Sequence, residues 1–462
     1  MELISKICGL LWGDLVYLPL PNGSTIGLSL MVMILIPAGI YFTIRTKFVP
    51  IRMFPEMLRI SVERSTGKKG ALSGMQALIV STATRVGTGN MIGVVAAVSA
   101  GGAGAVFWMW VTALIGSSTA FVEATLAQLH KEEDPLYGGY RGGPAHYIHN
   151  FFAKGKRRSI IAVLFALSGL LCWCGVSQVV SNSVTSAFYN AFNIKPIIST
   201  IILVVFAAVI VLRKNATVKV LDVIVPIMAV GYFLIAVFVI VKNIGLLPDV
   251  FVRIFEEAFG IRQVVAGGFG AALMNGVKRG LFSNEAGSGS APCAAAAADV
   301  SHPVKSGLFQ SLGVIIDTIV ICSCTAFIML LAPAELLEGL SGMELLQTAM
   351  YHHFGQVGVI FTAIALWLFS FSTFIGILYY ARSNVAYLFG DSWKAQTAYK
   401  ILTLVMLFIG GLATYTFVWD LGDIGVGLMT IFNMIAIIPM AGQALDSLKE
   451  YTYLMKRKNL EE

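Results

Sequence analysis

Two glycines, a hydroxyl and an amide stand together at Val86-Gly87-Thr88-Gly89-Asn90, inside an apolar stretch running from about residue 71 to 100. In a bilayer every backbone N–H and C=O needs a partner, so a spanning helix broken by glycine survives only where the freed groups line a cavity or meet other protein. The amides that open the half-helix after the break carry partial positive charge and suit a carboxylate. Thr88 and Gly89 are therefore candidate carboxylate binders through backbone N–H, with Asn90 beside them. Carbonyls of the preceding half, Ala83 and Val86, suit a hard cation such as sodium, which needs several oxygen ligands. Ser372 and Thr373, adjacent in another apolar stretch, offer two hydroxyls to complete that shell.

Aromatic and charged residues extend the set. Gly267-Gly268-Phe269-Gly270 reads as a second break, exposing backbone and laying one ring against a small ligand. Trp367 and Phe371, one helical turn apart, form a second aromatic wall. Ionisable residues at membrane depth are costly and point to function. Arg85 and Asp317 sit at equal depth in their stretches, about 20 Å in at 1.5 Å per residue, and are expected to pair. Glu123 and Glu285 are the alternative partners.

The elements that must position these residues are membrane spans. The chain is 57% hydrophobic and only 12% charged, which describes an all-α polytopic membrane protein of one domain over residues 1–462. At about 20 apolar residues per crossing, eleven spans fall near 26–44, 72–100, 104–129, 160–190, 196–212, 217–242, 262–280, 304–331, 357–389, 398–414 and 421–446. The net charge of +7 is no nucleic-acid footprint, because placing loop 45–71 in the cytoplasm puts 26 of the 32 Lys and Arg there. That orientation leaves the N-terminus outside and the C-terminus inside. Within 45–71, the mixture of Arg with Met, Phe and Leu from Pro50 to Arg64 suits a helix lying on the membrane surface. Phe251 to Phe259 is its counterpart on the other face.

With the first span set aside, ten remain, and the first of each five is interrupted. Interruptions at corresponding places in two halves mark an inverted repeat with its site at the midplane. The halves run over about 72–242 and 262–447. Cys172-Trp173-Cys174 and Cys322-Ser323-Cys324 are read as packing residues rather than metal ligands. No nucleophile–base pair argues for an enzyme, and no organic cofactor is expected.

The run from Lys278 to Pro292, Lys-Arg-Gly-Leu-Phe-Ser-Asn-Glu-Ala-Gly-Ser-Gly-Ser-Ala-Pro, resembles the signature of the alanine or glycine:cation symporter family. Arg85 to Gly93, Gly104 to Trp110 and Ile316 to Cys322 resemble three more of its motifs, in order along nearly the whole chain. The resemblance implies the LeuT-type fold of one N-terminal helix plus a 5+5 inverted repeat with broken first and sixth core helices. It also implies a transporter in the inner membrane that imports a small neutral amino acid with Na+ as coupling ion; a monomer is expected as the working unit. Gly268 to Ala271 is similar to a run that lines the substrate site in the wider fold, and Ser372 and Thr373 match its sodium pair. In the third core helix the chain departs from the family: after Gly175, Val180 stands where a Gln is usual, and Ser288 replaces a Met of the signature. Cargo other than alanine or glycine is therefore open. Proton coupling through Asp317 or Glu285, and a membrane sensor that binds an amino acid without moving it, are the other readings.

Overall fold

Val223, Ile227, Val230, Leu234, Phe238 and Val241 recur every three or four residues along one helix and all lie exposed. In water such a face would be a large apolar patch; in a bilayer it meets acyl chains. Among the described residues, seven helices are long and apolar enough to cross a membrane, and the apolar helices Leu30–Arg45 and Pro196–Val211 are shorter. The protein is thus a helical, multi-pass membrane protein. The structure is a computed structural model, and it describes residues 2–19, 25–61, 72–153, 158–213, 217–261 and 268–461.

Helix α1 (Glu2–Trp12) leads to an antiparallel hairpin, β1 (Asp14–Pro19) with β2 (Thr25–Ser29), in which Tyr17 faces Gly27. Helix α2 (Leu30–Arg45) follows, its start capped by Ser29 Oγ accepting the Val32 N–H at 3.2 Å. The surface helix expected over 50–64 is two short turns, α3 (Val49–Arg52) and α4 (Phe54–Ile60), and residues 62–64 lie outside the described residues.

Next comes the interrupted segment: α5 (Gly74–Thr84) opens on a Ser73/Gln76 capping box, and α6 (Val94–Gly101) closes it. Helix α7 (Gly104–Leu129) runs to a small hairpin, β3 (Glu132–Glu133) and β4 (Tyr140–Arg141), then to α8 (Pro144–Phe152). The long helices α9 (Ile160–Phe192), α10 (Pro196–Val211) and α11 (Thr217–Lys242) complete this half. The helix expected near 251–259 is α12 (Leu247–Ala258). Its Glu257 carboxylate accepts the Ala103 N–H at 2.5 Å, capping the start of α7 with negative charge.

In the second half, α13 (Gly268–Asn284) and the short α14 (Pro292–Ala296) precede α15 (Pro303–Val314) and α16 (Ser323–Leu330). Residues 315–322 join the last two as a widened π-turn. Helices α17 (Ala334–Leu337) and α18 (Gly342–Phe354) lead to α19 (Gln356–Phe389), α20 (Trp393–Leu412) and α21 (Tyr415–Glu461). Helix α9 packs against α19, α20 and α21, while α7 packs against α13 and α15. The interrupted segments sit between these groups.

One expectation is corrected. Gly268 and Gly270 stand at the start of α13, Gly267 lies outside the described residues, and an interruption falls at 285–291 instead. Glycine at a helix start costs little, whereas Glu285-Ala-Gly-Ser-Gly-Ser-Ala ends in Pro292, which is suited to the first turn of a new helix. Gly287 (φ 92°) and Gly289 (φ 81°) adopt left-handed backbone that only glycine takes without strain. It also follows that Lys278 and Arg279 belong to α13, not to a cytoplasmic loop.

Candidate functional site

At the first interruption the chain leaves helical geometry at Val86 (ψ 74°) and Gly87 (φ −153°, ψ −134°), as the glycines predict. Asn90 Oδ1 accepts the Gly87 N–H at 2.8 Å, so the gap is partly closed by its own next turn. Helix α19 closes the rest: the Thr88 N–H donates to Thr373 Oγ1 at 3.2 Å. Ser372 and Thr373 hydroxyls reach the Ala83 carbonyl at 3.3 and 3.5 Å. Three of the four oxygen donors expected to hold a cation therefore converge, and Val86 lies buried at the kink beside them. A carbonyl and two hydroxyls in a dry setting form the start of a hard-cation shell. Thr88 Oγ1 is buried with no hydrogen-bond partner among the described residues.

The expected pairing of Arg85 with Asp317 is not formed. Arg85, fully buried, donates through Nη1 to the Gln310 side chain at 2.9 Å and its carbonyl at 3.3 Å. Asp317 accepts from Asn90 Nδ2 (2.7 Å), Thr318 Oγ1 (2.7 Å) and Ser283 Oγ (3.0 Å). Equal depth in sequence does not make them partners, since each side chain is taken up by other groups. Asp317 instead ties the first interruption, through Asn90, to the end of α13, through Ser283. Glu123 plays a matching role lower down, accepting from the Gly287 N–H (3.1 Å) and Asn433 Nδ2 (2.8 Å).

Between the two interruptions lies a cavity of about 30 Å³. Its walls are Thr84, Thr88 and Gly89 from the first, Phe282, Glu285, Ser288 and Ser290 from the second, and Thr373 and Ile377 from α19. Cys172, Trp173 and Val176 of α9 with Val426 and Met429 of α21 supply the apolar side. At about 15 Å³ for one water on this scale, there is room for a couple of waters, and an amino acid enters only as the helices part.

Several sequence candidates lie elsewhere. Phe269 packs edge-on against Trp108 (centroids 5.7 Å apart), and Gly268 and Gly270 are with it. Trp367 and Phe371 do stack (6.1 Å, 13°), but against Phe206 of α10. Gly175 is a close helix contact, where a Cβ would come within 2.4 Å of the Gly422 nitrogen. Val180 is buried one turn beyond the cavity-lining Val176. The residues that sequence reasoning missed, Trp173 and Phe282 foremost, flank motifs it had noticed, and Phe282 lies inside the signature itself.

Two clusters of charge lie outside the cavity lining. Towards α1, Arg279 grips Asp423 of α21 with both nitrogens (3.1 and 3.3 Å), Lys278 adds a contact at 2.6 Å, and Trp12 Nε1 donates to the Asp423 carbonyl at 3.0 Å. Arg279 also lies over Trp419 at 3.9 Å, and Trp419 packs on Phe282 at 4.8 Å. On the far side, Arg141 bridges Glu132 (2.7 Å) and Asp391, with His146 at 3.2 Å from Glu132. Hydrogen bonding from His146, with Arg141 beside it, holds the Glu132 carboxyl down to about 2.

Known proteins resemble this chain in sequence and fold. Residues 18–462 match the model of the sodium:alanine symporter family. The chain is 44% identical over 426 residues to the probable sodium/glutamine symporter GlnT of Bacillus subtilis, covering 92% of this chain and 88% of that one. It is 34% identical over 434 residues to the sodium/alanine symporter AgcS of Methanococcus maripaludis, covering 93% and 95%. The crystal structure of MhsT in complex with L-phenylalanine is similar in fold, with TM-score 0.56 at 14% identity over 80% of this chain and 89% of that one. The LeuT-type fold, a match along almost the entire sequence and relatives that are transporters rather than enzymes lead to one assignment: this chain belongs to the sodium:alanine symporter family.

Proposed function

We propose that the protein is a sodium-coupled symporter that imports a small neutral amino acid across the cytoplasmic membrane by alternating access. The observation that carries this reading is the meeting of Ser372 and Thr373 with the Ala83 carbonyl and the Thr88 amide across the interrupted helix. Sodium bound there would hold the interrupted segment against α19. The Thr88 hydroxyl and Gly89 would then receive the substrate's carboxylate from the cavity side. Inward movement of sodium supplies about 2.3 kcal/mol per charge per 100 mV, besides its concentration gradient.

The reading includes eleven crossings, a 5+5 inverted repeat over about 72–242 and 262–447, and a monomer as the working unit. It also places the N-terminus outside and the C-terminus inside. Basic residues of the 45–71, 130–159 and C-terminal segments support that orientation even with Lys278 and Arg279 moved to the outer face. One relative is named for glutamine and another for alanine, so both are candidate cargoes. Uptake of radiolabelled alanine, glycine and glutamine into proteoliposomes, with and without an inward sodium gradient, is the test. Sodium-driven accumulation of at least one is expected, and equal uptake without sodium would refute the coupling.

A further inference from the structure

Glu285 is the one charged side chain in the wall of the cavity between the interruptions. The other ionisable groups at that depth are engaged elsewhere: Arg85 with Gln310, Asp317 with Asn90, Ser283 and Thr318, and Glu123 with Gly287 and Asn433. Glu285 stands at φ 57°, a left-handed conformation uncommon outside glycine. Strain at such a position persists where the surrounding structure enforces it, commonly at binding sites. Hydroxyls converge on its carboxylate: Thr84 at 3.3 Å and Tyr380 at 3.2 Å reach Oε2, and Ser290 hydrogen-bonds it as well. Arg85 acts on it only through space, and no cationic side chain among the described residues lies within hydrogen-bonding reach. A partly buried carboxylate held by hydroxyls, with no cation in contact among the described residues, keeps a desolvation cost that a cationic ligand group reduces.

We propose that Glu285 recognises the α-ammonium group of the transported amino acid. This rests on the amino-acid reading above and adds to it the residue that receives the positive end. The zwitterion then lies across the cavity, its carboxylate towards Thr88, Gly89 and the bound sodium, its ammonium on Glu285 beside Thr84 and Tyr380. A free amino group becomes a condition of binding, so propionate and N-acetylalanine, which keep the carboxylate and lose the ammonium, are rejected. A carboxylate that serves as a proton carrier or a sodium ligand instead makes a different set of predictions.

The test is equilibrium binding of radiolabelled alanine and glutamine to the purified full-length protein at saturating sodium, with sodium binding read separately from its thermal shift. Glu285→Gln is expected to weaken amino-acid binding at least thirtyfold and to leave the sodium half-saturation within threefold, and Glu285→Asp to recover at least tenfold. Amino-acid affinity within threefold of wild type in Glu285→Gln overturns the proposal, as does a parallel rise in the sodium half-saturation. Wild-type protein supplies a check independent of any variant's folding: a 100-fold excess of propionate or N-acetylalanine should not displace the amino acid, and displacement overturns the proposal. Wild-type protein that binds no amino acid refutes the proposed function itself, and this assignment with it.

Discussion

A methyl group placed on Gly87 would lie 1.9 Å from Thr373 Oγ1, so the kink in the first interrupted helix and the hydroxyl of α19 occupy one shared space. Gly87 leaves helical geometry here (φ −153°, ψ −134°), and a side chain at this position has no room beside Thr373. Gly87→Ala is expected to cost about 1–3 kcal/mol through overpacking and to abolish sodium-driven uptake. Adding Thr373→Ala should restore much of the thermal midpoint without restoring uptake. A stable, active Gly87→Ala protein would show that the two elements do not meet in the working cycle.

If the Ser372 and Thr373 hydroxyls bind sodium, removing either should act on sodium before it acts on cargo. Ser372→Ala and Thr373→Ala are each expected to raise the sodium concentration for half-maximal uptake at least tenfold, with much of the maximal rate recovered at high sodium. Thr373→Ser, which keeps the oxygen, should stay within threefold of wild type. An unchanged sodium dependence in both alanine variants would remove α19 from the cation shell.

Arg85 and Asp317 offer a direct check on geometry against depth. They bind different partners, so a double-mutant cycle between them, read by thermal unfolding in detergent, should give a coupling smaller than that of a hydrogen-bonded pair. The cycle between Asn90 and Asp317, joined at 2.7 Å, should give about 0.5–3 kcal/mol. The reverse order would restore the pairing inferred from depth alone.

On the far face, Glu132 titrates far below the ordinary carboxylate value because His146 and Arg141 stabilise its charge. A carboxyl whose folded-state pKa is depressed adds stability above its unfolded value of about 4.5, and that contribution fades as pH falls toward about 2. The thermal midpoint of wild type should therefore fall between pH 5 and pH 3 more steeply than that of Glu132→Gln. Half of the Glu132 side chain meets solvent, so added salt should shrink the difference. Parallel slopes would mean the clasp contributes nothing to stability.

Runs of about twenty apolar residues placed two helices closely: the expected ranges 104–129 and 217–242 coincide with α7 and α11. Others move by a few residues, because hydropathy marks where a helix enters the bilayer and not where its hydrogen bonds stop. The last span, expected over 421–446, belongs to a 47-residue helix that continues on good helix formers. The first interruption was legible because its glycines stand mid-span beside Thr88 and Asn90, which favours a break over simple helix packing. The second was misplaced because glycine alone does not separate a helix start from a break; Pro292 after a run of small residues does. Trp367 and Phe371 lie on the α19 that carries Ser372 and Thr373, yet they face α10, since one residue of rotation turns a side chain by about 100°. Helix rotation is set by packing, and a single sequence contains no direct record of it.

Arg279 and Asp423 join α13 to α21 on the side of the cavity nearest α1, so that side opens only when the pair separates or moves as a unit. Asp423 is 1% exposed and receives both Arg279 and Lys278. Removing its charge leaves two cations facing each other with little water, a loss of about 3–5 kcal/mol for a buried pair broken from one side. Asp423→Asn is expected to lower the thermal midpoint accordingly. Replacing all three with leucine should return most of the stability, because well-packed apolar groups often match a buried ion pair, while uptake stays low, since the fork of Arg279 over Trp419 is gone. Arg279→Lys separates charge from shape: it keeps the ion pair but loses the two-pronged grip and the stacking. Uptake near wild type in Arg279→Lys would show that charge alone holds this side closed, and uptake near zero that the planar fork is required.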